Sequence, residues 1–282
     1  MSFGGGVSFG GQVVAAIDRF GHLCVGLDPS AAALAAWQLE DTPDSVETFC
    51  EALLEAADGV CGLVKPQSAF FERHGAAGVS VLERVLRQAH QRGLVTILDV
   101  KRGDIGSTMG GYAEAFLADA APLAASAITL SPYLGFGALR PAIDLALANN
   151  RGVFCLALTS NPEGVQVQGA CGPDGVNVAE SVLRQAGKWN QSQKGLGSVG
   201  VVVGATLGQL DRSTKDLLER LNGPILAPGI GPQGARPGQA HHLFGEAYAQ
   251  VIAPASRAIA KAGPEMAALR SGIERLQAEL AS

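Results

Sequence analysis

The stretch Val95-Thr96-Ile97-Leu98-Asp99-Val100-Lys101-Arg102-Gly103-Asp104-Ile105 places two carboxylates and an ammonium group directly after an apolar run. The apolar run predicts a buried β-strand, and a strand turns successive side chains to opposite faces. Asp99 and Lys101 are therefore expected on one face at the end of this strand. An Asp-x-Lys pair alone is also typical of a surface ion pair, which contributes little to stability. The choice between these interpretations depends on the rest of the chain.

Seven further apolar runs, each bounded by turn residues, predict more strands. With Val95–Val100, the candidates are His22–Leu27, Val60–Val64, Ala125–Leu130, Gly152–Leu158, Ser198–Gly204, Pro224–Ala227 and Gln250–Ala253. Several are apolar on successive residues, as expected of parallel strands that are covered on both faces. Helical patterns lie between them, for example at Pro43–Asp58 and Gly75–Arg92.

Eight strand–helix units in about 240 residues match a (β/α)8 TIM barrel, an α/β fold formed here by a single domain. A doubly wound open sheet is the alternative, because the last two strand candidates are short. We expect the catalytic domain to span residues 12–282 and to end in an amphipathic helix at Pro264–Leu280. Residues 1–11 are rich in glycine and are expected to form a flexible arm.

The composition argues against several classes of protein. A formal net charge of −5 comes without the clusters of Lys and Arg that nucleic-acid binding requires. The five cysteines include no Cys-x-x-Cys pair, which favours a reducing cytoplasm and no structural metal. The N-terminus lacks the features of a secretory signal. The uncharged segment Ala120–Leu139 is interrupted by Pro122 and Pro132, so we expect a buried strand there and no membrane span.

In such a barrel the reactive groups follow the C-terminal ends of the strands. The polar residues at these positions are Asp28 after the first strand, Lys65 after the second, Asp99, Lys101 and Asp104 after the third, Ser160 and Asn161 after the fifth, Gly229–Gln233 after the seventh and Arg257 after the eighth. Each also has a purely structural interpretation: Asp28 could cap a helix, Lys65 could solvate a strand end, and Ser160 could form a turn.

The segment Gly229–Gly234 and Arg257 predict a phosphate site. Glycines let backbone amides approach an anion, and the loops after strands seven and eight often bind phosphate in these barrels. Arg257 would add a charge-assisted hydrogen-bonding fork. A tight turn without a ligand is the alternative. Because the segment lacks the full dinucleotide fingerprint and the five histidines show no metal-ligand spacing, we expect a site without cofactor or metal.

These spaced motifs resemble those of the orotidine 5'-phosphate decarboxylase family, in its long bacterial form (type 2). In chain order they are Leu27-Asp28, Lys65, Asp99-x-Lys101-x-x-Asp104-Ile105, Thr159-Ser160-Asn161-Pro162, Pro228–Gly234 and Ser256-Arg257. The resemblance extends from about His22 to Ala262. It implies the cofactor-free decarboxylation of orotidine 5'-monophosphate to uridine 5'-monophosphate, the last step of de novo pyrimidine synthesis.

The resemblance also implies a homodimer and roles for individual residues. Lys101, Asp99, Asp104 and Lys65 would form the catalytic set, with Asp104 and Thr108 reaching into the partner's site. Asp28 and Lys65 would contact the ribose and Ser160 the pyrimidine, while Gly229, Gly231, Gln233, Gly234 and Arg257 would surround the phosphate. The loop Glu163–Asn177 is expected to form a flap over that phosphate.

Three other functions stay open on the sequence alone. A related sugar-phosphate barrel would use a similar Asp-x-Lys-x-x-Asp element with a divalent metal. A Schiff-base aldolase would use one lysine covalently. A non-catalytic nucleotide-binding regulator would keep the pocket without turnover, although simple binding does not need this density of charge.

Overall fold

Eight parallel strands pair in chain order and close into a barrel, as the sequence predicts. The structure, a computed structural model, describes residues 6–230 and 234–281, and at 237 and 238 it describes only the backbone. The strands are β1 (Leu23–Leu27), β2 (Leu63–Pro66), β3 (Val95–Arg102), β4 (Ala127–Leu130), β5 (Gly152–Leu158), β6 (Val199–Val203), β7 (Ile225–Leu226) and β8 (Val251–Ala255). The closing pair joins β1 to β8, which rules out the open-sheet alternative.

Helices connect the strands and cover the outside of the barrel. They are α1 (Phe9–Phe20), α2 (Ala31–Ala36), α3 (Pro43–Ala57), α4 (Ala69–Glu72), α5 (Gly75–Gln91), α6 (Gly106–Leu117), α7 (Arg140–Ala148), α8 (Val165–Gln168), α9 (Val178–Asn190), α10 (Arg212–Glu219), α11 (Pro237–Phe244), α12 (Arg257–Ala260) and α13 (Met266–Leu280). Short 3-10 helices occur at Phe136–Leu139, Pro162–Gly164 and Gly245–Gln250. The predicted helices correspond to α3, α5 and α13, with ends that agree to within two residues.

Two apolar clusters hold the fold together. The larger one lies between the strands and the surrounding helices. The smaller one fills the inside of the barrel and draws on every strand, through Cys24, Leu63, Val95, Ile97, Ala127, Phe154, Val202, Leu226 and Ile252. A TIM barrel is a packed core and not a pore, and this inner cluster is that core.

Helix α1 closes the N-terminal end of the barrel. Phe9 is fully buried and meets the Phe154 ring edge-on, with 5.8 Å between ring centroids. This helix includes Phe9–Gly11, which the sequence assigned to a flexible arm, whereas residues 1–5 of that arm lie outside the described residues. Glycine disfavours helix, but burial of Phe9 against the barrel outweighs that preference.

The uncharged segment Ala120–Leu139 contains the buried strand β4 and the loops on either side of it, as predicted. Among the described residues, no helix has the length and apolar character needed to cross a membrane.

Candidate active site

The inner faces of neighbouring strands change from apolar to charged towards their C-terminal ends. On β2, Lys65 follows the core residue Leu63 on the same face, and on β3, Asp99 follows Ile97 in the same way. Because side chains repeat every two residues along a strand, each charged group stands one step above the apolar core. The strands thus bring the two groups together at the mouth of the barrel.

Three charged side chains form a continuous ion cluster there. Asp99 Oδ2 lies 3.3 Å from Lys65 Nζ, and Asp99 Oδ1 lies 2.6 Å from Lys101 Nζ. Lys65 and Asp99 are only 7% and 8% exposed, whereas Lys101 is exposed. The site therefore presents one accessible ammonium group that is held by a buried carboxylate.

Lys101 meets Asp99 through a local irregularity in the strand. Leu98 pairs with Ile128 of β4, and the next pair joins Arg102 to Leu130. Between these two pairs β3 advances by four residues while β4 advances by two. Lys101 lies in this bulge with a φ of +44°, a left-handed conformation that is uncommon for a residue other than glycine. The predicted proximity of Asp99 and Lys101 is found, but simple alternation along a regular strand does not produce it.

The local electrostatics keep both buried groups charged. Burial would raise the pKa of Asp99, but Lys65, Lys101 and the hydrogen bonds from Lys101 and Thr129 together hold it below its ordinary value. Burial would likewise lower the pKa of Lys65, but the carboxylates of Asp28 and Asp99 more than offset this and raise it. Near neutral pH the pair is therefore an ammonium facing a carboxylate.

Asp28 stands at the edge of the same cluster. Its Oδ1 lies 3.9 Å from Lys65 Nζ, and its Oδ2 accepts a hydrogen bond from Ser256 Oγ at 2.6 Å. The N-cap of the following helix is Ser30, so the capping interpretation of Asp28 is wrong. Asp28 Oδ1 is buried without a hydrogen-bond partner within the described residues, which leaves an acceptor available at the cavity.

Two polar residues of this site were missed in the sequence. Gln67 Nε2 donates to Asp99 Oδ2 at 2.9 Å, and Thr129 Oγ1 donates to Asp99 Oδ1 at 2.8 Å. Gln67 comes two residues after Lys65, so the alternation that places Lys65 above Leu63 could have identified it. The approach of Thr129 depends on which strand lies beside β3 and in what register. Asp99 consequently accepts four hydrogen bonds, two on each oxygen.

Of the cavities at this end of the barrel, two adjoin each other and contain the predicted site residues. One, of about 350 Å³, is lined by the ion cluster, Asp28 and Gln67 and by apolar side chains that include Leu156 and Val202. The other, of about 310 Å³, is lined by Gly229, Gly234 and Arg257. Ser160, Pro254 and Ser256 border both cavities, so together they form one elongated site.

The glycines of the predicted phosphate loop have a structural role of their own. Gly229 has a φ of +96°, and a Cβ on Gly234 would collide with the Gly229 carbonyl, which accepts a hydrogen bond from Ala235 N at 2.8 Å. Chain packing alone therefore requires glycine at both positions. Gly231 and Gln233 lie outside the described residues.

The predicted flap begins beside Ser160. It contains the turn Pro162–Gly164 and helix α8, and both are exposed for most of their length. Thr159 Oγ1 donates to Asn161 Oδ1 at 2.6 Å, and Asn161 Nδ2 donates to Glu163 Oε2 at 3.1 Å. These contacts tie the start of the loop to the cavity wall.

Asp104 and Thr108 do not join the ion cluster of their own chain. The Asp104 carboxylate accepts a hydrogen bond from Ile105 N at 2.8 Å, and within the described residues it forms no ion pair. Thr108 is exposed on the first turns of α6. Of the predicted catalytic set, one chain thus assembles Lys65, Asp99 and Lys101.

The histidines do not take part in this cluster. Among the residues that the structure describes, no group of three His, Cys, Asp or Glu side chains is arranged to hold a metal ion. His22 instead hydrogen-bonds through Nδ1 to the Val251 carbonyl at 2.8 Å, at the opposite end of β8.

The chain is similar to known proteins over nearly its whole length. The model of the Orotidine 5'-phosphate decarboxylase / HUMPS family matches residues 21–271. A curated orotidine 5'-phosphate decarboxylase from Streptomyces coelicolor is 48% identical over 272 residues, 96% of each chain. Another from Salinispora arenicola is 47% identical over the same shares. A crystal structure from Streptomyces avermitilis, assigned as an orotidine 5'-phosphate decarboxylase, is 47% identical with a TM-score of 0.94 and covers 100% of this chain and 98% of that one.

Proposed function

The chain belongs to the orotidine 5'-phosphate decarboxylase / HUMPS family, and we propose that the ion cluster at the mouth of its barrel carries out its reaction. That reaction is the conversion of orotidine 5'-monophosphate into uridine 5'-monophosphate and CO2, in pyrimidine biosynthesis. The observation that supports this role is the buried carboxylate of Asp99 shared between Lys65 and the accessible Lys101.

The chemistry requires stabilisation of charge at one carbon atom. Loss of CO2 leaves an electron pair on C6 of the pyrimidine with no adjacent group to absorb it. An ammonium about 4 Å from a unit negative charge contributes about 4 kcal/mol at an effective dielectric of about 20. One lysine is therefore significant but insufficient, and the fixed arrangement of the whole cluster must supply more. In this proposal Lys101 stabilises the carbanion and then gives its proton to C6.

The two adjoining cavities suit the parts of a nucleotide. The pyrimidine lies beside Lys101 and Ser160, and the ribose hydroxyls lie beside Lys65 and Asp28 Oδ1, which has no hydrogen-bond partner within the described residues. The phosphate occupies the second cavity, whose lining includes Arg257, Gly229 and Gly234. Gly231 and Gln233 complete the phosphate site in this proposal. Binding energy from the phosphate would then position the ring for reaction.

A homodimer would complete the catalytic set with Asp104 and Thr108 of a second copy. The surface around these residues is unusually apolar for an exposed one: Ile105 is 61%, Tyr133 76% and Leu134 53% exposed. Exposed apolar patches beside polar groups are typical of protein interfaces. The same patch on both copies is what a two-fold dimer requires.

Mixing two inactive variants tests the shared site. Lys101→Ala and Asp104→Ala would each inactivate both sites of their own homodimer. A hybrid dimer would contain one site with Lys101 from one chain and Asp104 from the other. After exchange of subunits, an equal mixture should recover about a quarter of wild-type activity, since half of the dimers are hybrids with one intact site. Recovery of no activity from a fully exchanged mixture would contradict the shared site.

The catalytic domain predicted over residues 12–282 also includes Phe9–Gly11 in this proposal, because α1 begins at Phe9. The protein works in the cytoplasm. The reducing environment of that compartment suits its thiols. All five cysteines are free, and four of them are buried. Burial raises the pKa of Cys61 to about 11 and that of Cys155 to about 12, which keeps these thiols protonated and unreactive.

The direct test follows the ultraviolet absorbance of orotidine 5'-monophosphate mixed with the purified protein in chelator-treated buffer. We expect absorbance loss that persists in chelator and disappears in Lys101→Ala. No change in absorbance would favour the sugar-phosphate chemistry of a related barrel or a binding protein, and added magnesium would be the next test between them. Tight binding of the nucleotide without turnover would identify a binding protein.

A further inference from the structure

A single hydroxyl connects Asp99 to the backbone of Lys101. Thr129 on β4 is 1% exposed, and its Oγ1 accepts the N–H of Lys101 at 2.9 Å while donating to Asp99 Oδ1 at 2.8 Å. A hydroxyl carries one hydrogen, and a backbone N–H can only donate. The hydrogen of Thr129 is therefore committed to the carboxylate. Because Asp99 Oδ1 also accepts from Lys101 Nζ at 2.6 Å, the three residues close a ring of hydrogen bonds.

The backbone part of this ring occurs where β3 departs from regular pairing. Lys101 has its φ of +44° inside the bulge between Leu98 and Arg102. Left-handed backbone in a residue with a long side chain persists only where its surroundings hold it. The contact from Thr129 to Lys101 N is such a restraint, and it acts at the residue that bears the accessible ammonium.

We infer that Thr129 is a positioning residue of this enzyme, which fixes the Asp99 carboxylate and the Lys101 backbone as one unit. The inference rests on the proposed function of the ion cluster. A small displacement of a reacting group is costly in a site that works by a fixed arrangement of charges. Thr129 thus acts on turnover through Lys101 and Asp99, and has little effect on how tightly the nucleotide binds.

Thr129→Val tests this role because it keeps the branched shape and removes the hydroxyl. We expect kcat to fall about 10- to 100-fold, while KM and the Kd of uridine 5'-monophosphate stay within about threefold of wild type. Thr129→Ser keeps the hydroxyl and should restore kcat to within about threefold of wild type. Loss of one donor also raises the pKa of Asp99, so the acidic limb of the kcat profile should move to higher pH.

Thr96→Val is the matched control. Thr96 lies at the opposite end of β3, is 4% exposed, and accepts a hydrogen bond from Ser126 N at 2.9 Å through its hydroxyl. Loss of the Thr96 hydroxyl should lower the free energy of unfolding and leave kcat unchanged. If Thr129→Val does not fold, Thr129→Ala removes the same hydroxyl and is expected to give the same result.

Two failures can be distinguished. If the wild-type protein decarboxylates the nucleotide and a folded Thr129→Val or Thr129→Ala variant has the same kcat, only the positioning role is overturned. A wild-type protein that does not decarboxylate the nucleotide would overturn the proposed function. A Thr129→Ser variant as slow as Thr129→Val would also contradict the role. Keeping the hydroxyl would then give no higher kcat than removing it.

Discussion

The two ends of the barrel use the same eight strands for opposite purposes. At the N-terminal end, Phe9 of α1 seals an inner cluster of buried apolar side chains. At the C-terminal end, the next inward positions carry Lys65 on β2 and Asp99 on β3, and β3 contains a bulge there. The barrel interior is apolar at one end, and at the other end it opens into a charged cavity.

This difference shows how stability and chemistry are separated within one fold. Apolar burial at one end supplies free energy of folding that does not depend on the charged groups. Desolvated charges and a left-handed residue at the other end are costly, and they persist because the packed end holds the strands in place. Substitutions at the two ends should therefore affect different measurements.

The largest effect is expected at the open end, from Lys101→Ala. In the proposed mechanism the ammonium supplies both charge stabilisation and the proton, so its loss should lower kcat by about 10⁴-fold or more. The fold should be unaffected, since the side chain is exposed. Turnover is measured by absorbance and the fold by circular dichroism. Lys188→Ala, an exposed lysine on α9, is the control and should keep full activity. A Lys101 variant with a tenth of wild-type turnover would contradict the assignment.

The next effect is expected at the closed end, from Phe9→Ala. Removing a fully buried ring should lower the free energy of unfolding by about 3–5 kcal/mol. The kcat of the folded fraction should stay within about twofold of wild type, because the cavity lies at the other end of the strands. Urea denaturation measures the first quantity. Val14→Ala, at a 40% exposed position of the same helix, should change stability by less than about 0.5 kcal/mol. An equal loss in both variants would mean that α1 does not seal the core.

Sequence reasoning predicted the closed end in outline and the open end in part. The apolar runs gave all eight strands, because buried parallel strands are continuous in hydrophobicity. The helical start at Phe9 was missed, because glycine-rich segments have weak local preference and tertiary contacts decide their structure.

At the open end, Lys65, Asp99 and Lys101 were found from their positions after predicted strands. The sequence did not predict the bulge at Lys101 or the contact with Thr129, because both depend on the register between β3 and β4. Periodicity within one strand contains no information on its neighbour. The places of Asp104 and Thr108 in a site likewise depend on a second copy of the chain and stay predictions.

A smaller effect is expected at the far side of the open end, from Arg257→Ala. In the proposed binding mode Arg257 donates a charge-assisted hydrogen bond to the phosphate. Loss of such a bond costs about 1.5–3 kcal/mol, so KM should rise about 10- to 100-fold. The nucleoside orotidine, which lacks the phosphate, should be processed equally by variant and wild type. Arg140→Ala, at a residue whose side chain is 74% exposed on α7, should leave KM unchanged. An unchanged KM in Arg257→Ala would place the phosphate elsewhere.

The smallest effect concerns how the charged end contributes to stability as pH changes. The pKa of Asp99 is lowered in the folded protein, so the ionised carboxylate contributes to stability. This contribution is fully present above the pKa that Asp99 has in the unfolded chain. It is lost as the pH falls through the pKa that Asp99 has in the folded protein. An unfolded aspartate titrates at about 3.9. The stability difference between wild type and Asp99→Asn should thus be constant from about pH 7 to pH 5 and shrink below about pH 4.

Urea denaturation of both proteins across this range measures the difference, and Phe9→Ala is the comparison. An apolar substitution at the closed end removes no titrating group, so its stability cost should not depend on pH. A cost of Asp99→Asn that was equally independent of pH would mean that the Asp99 carboxylate is not stabilised by Lys65 and Lys101. The charged end would then differ from the closed end in composition alone, and the preorganised charges that catalysis requires would have to come from other groups.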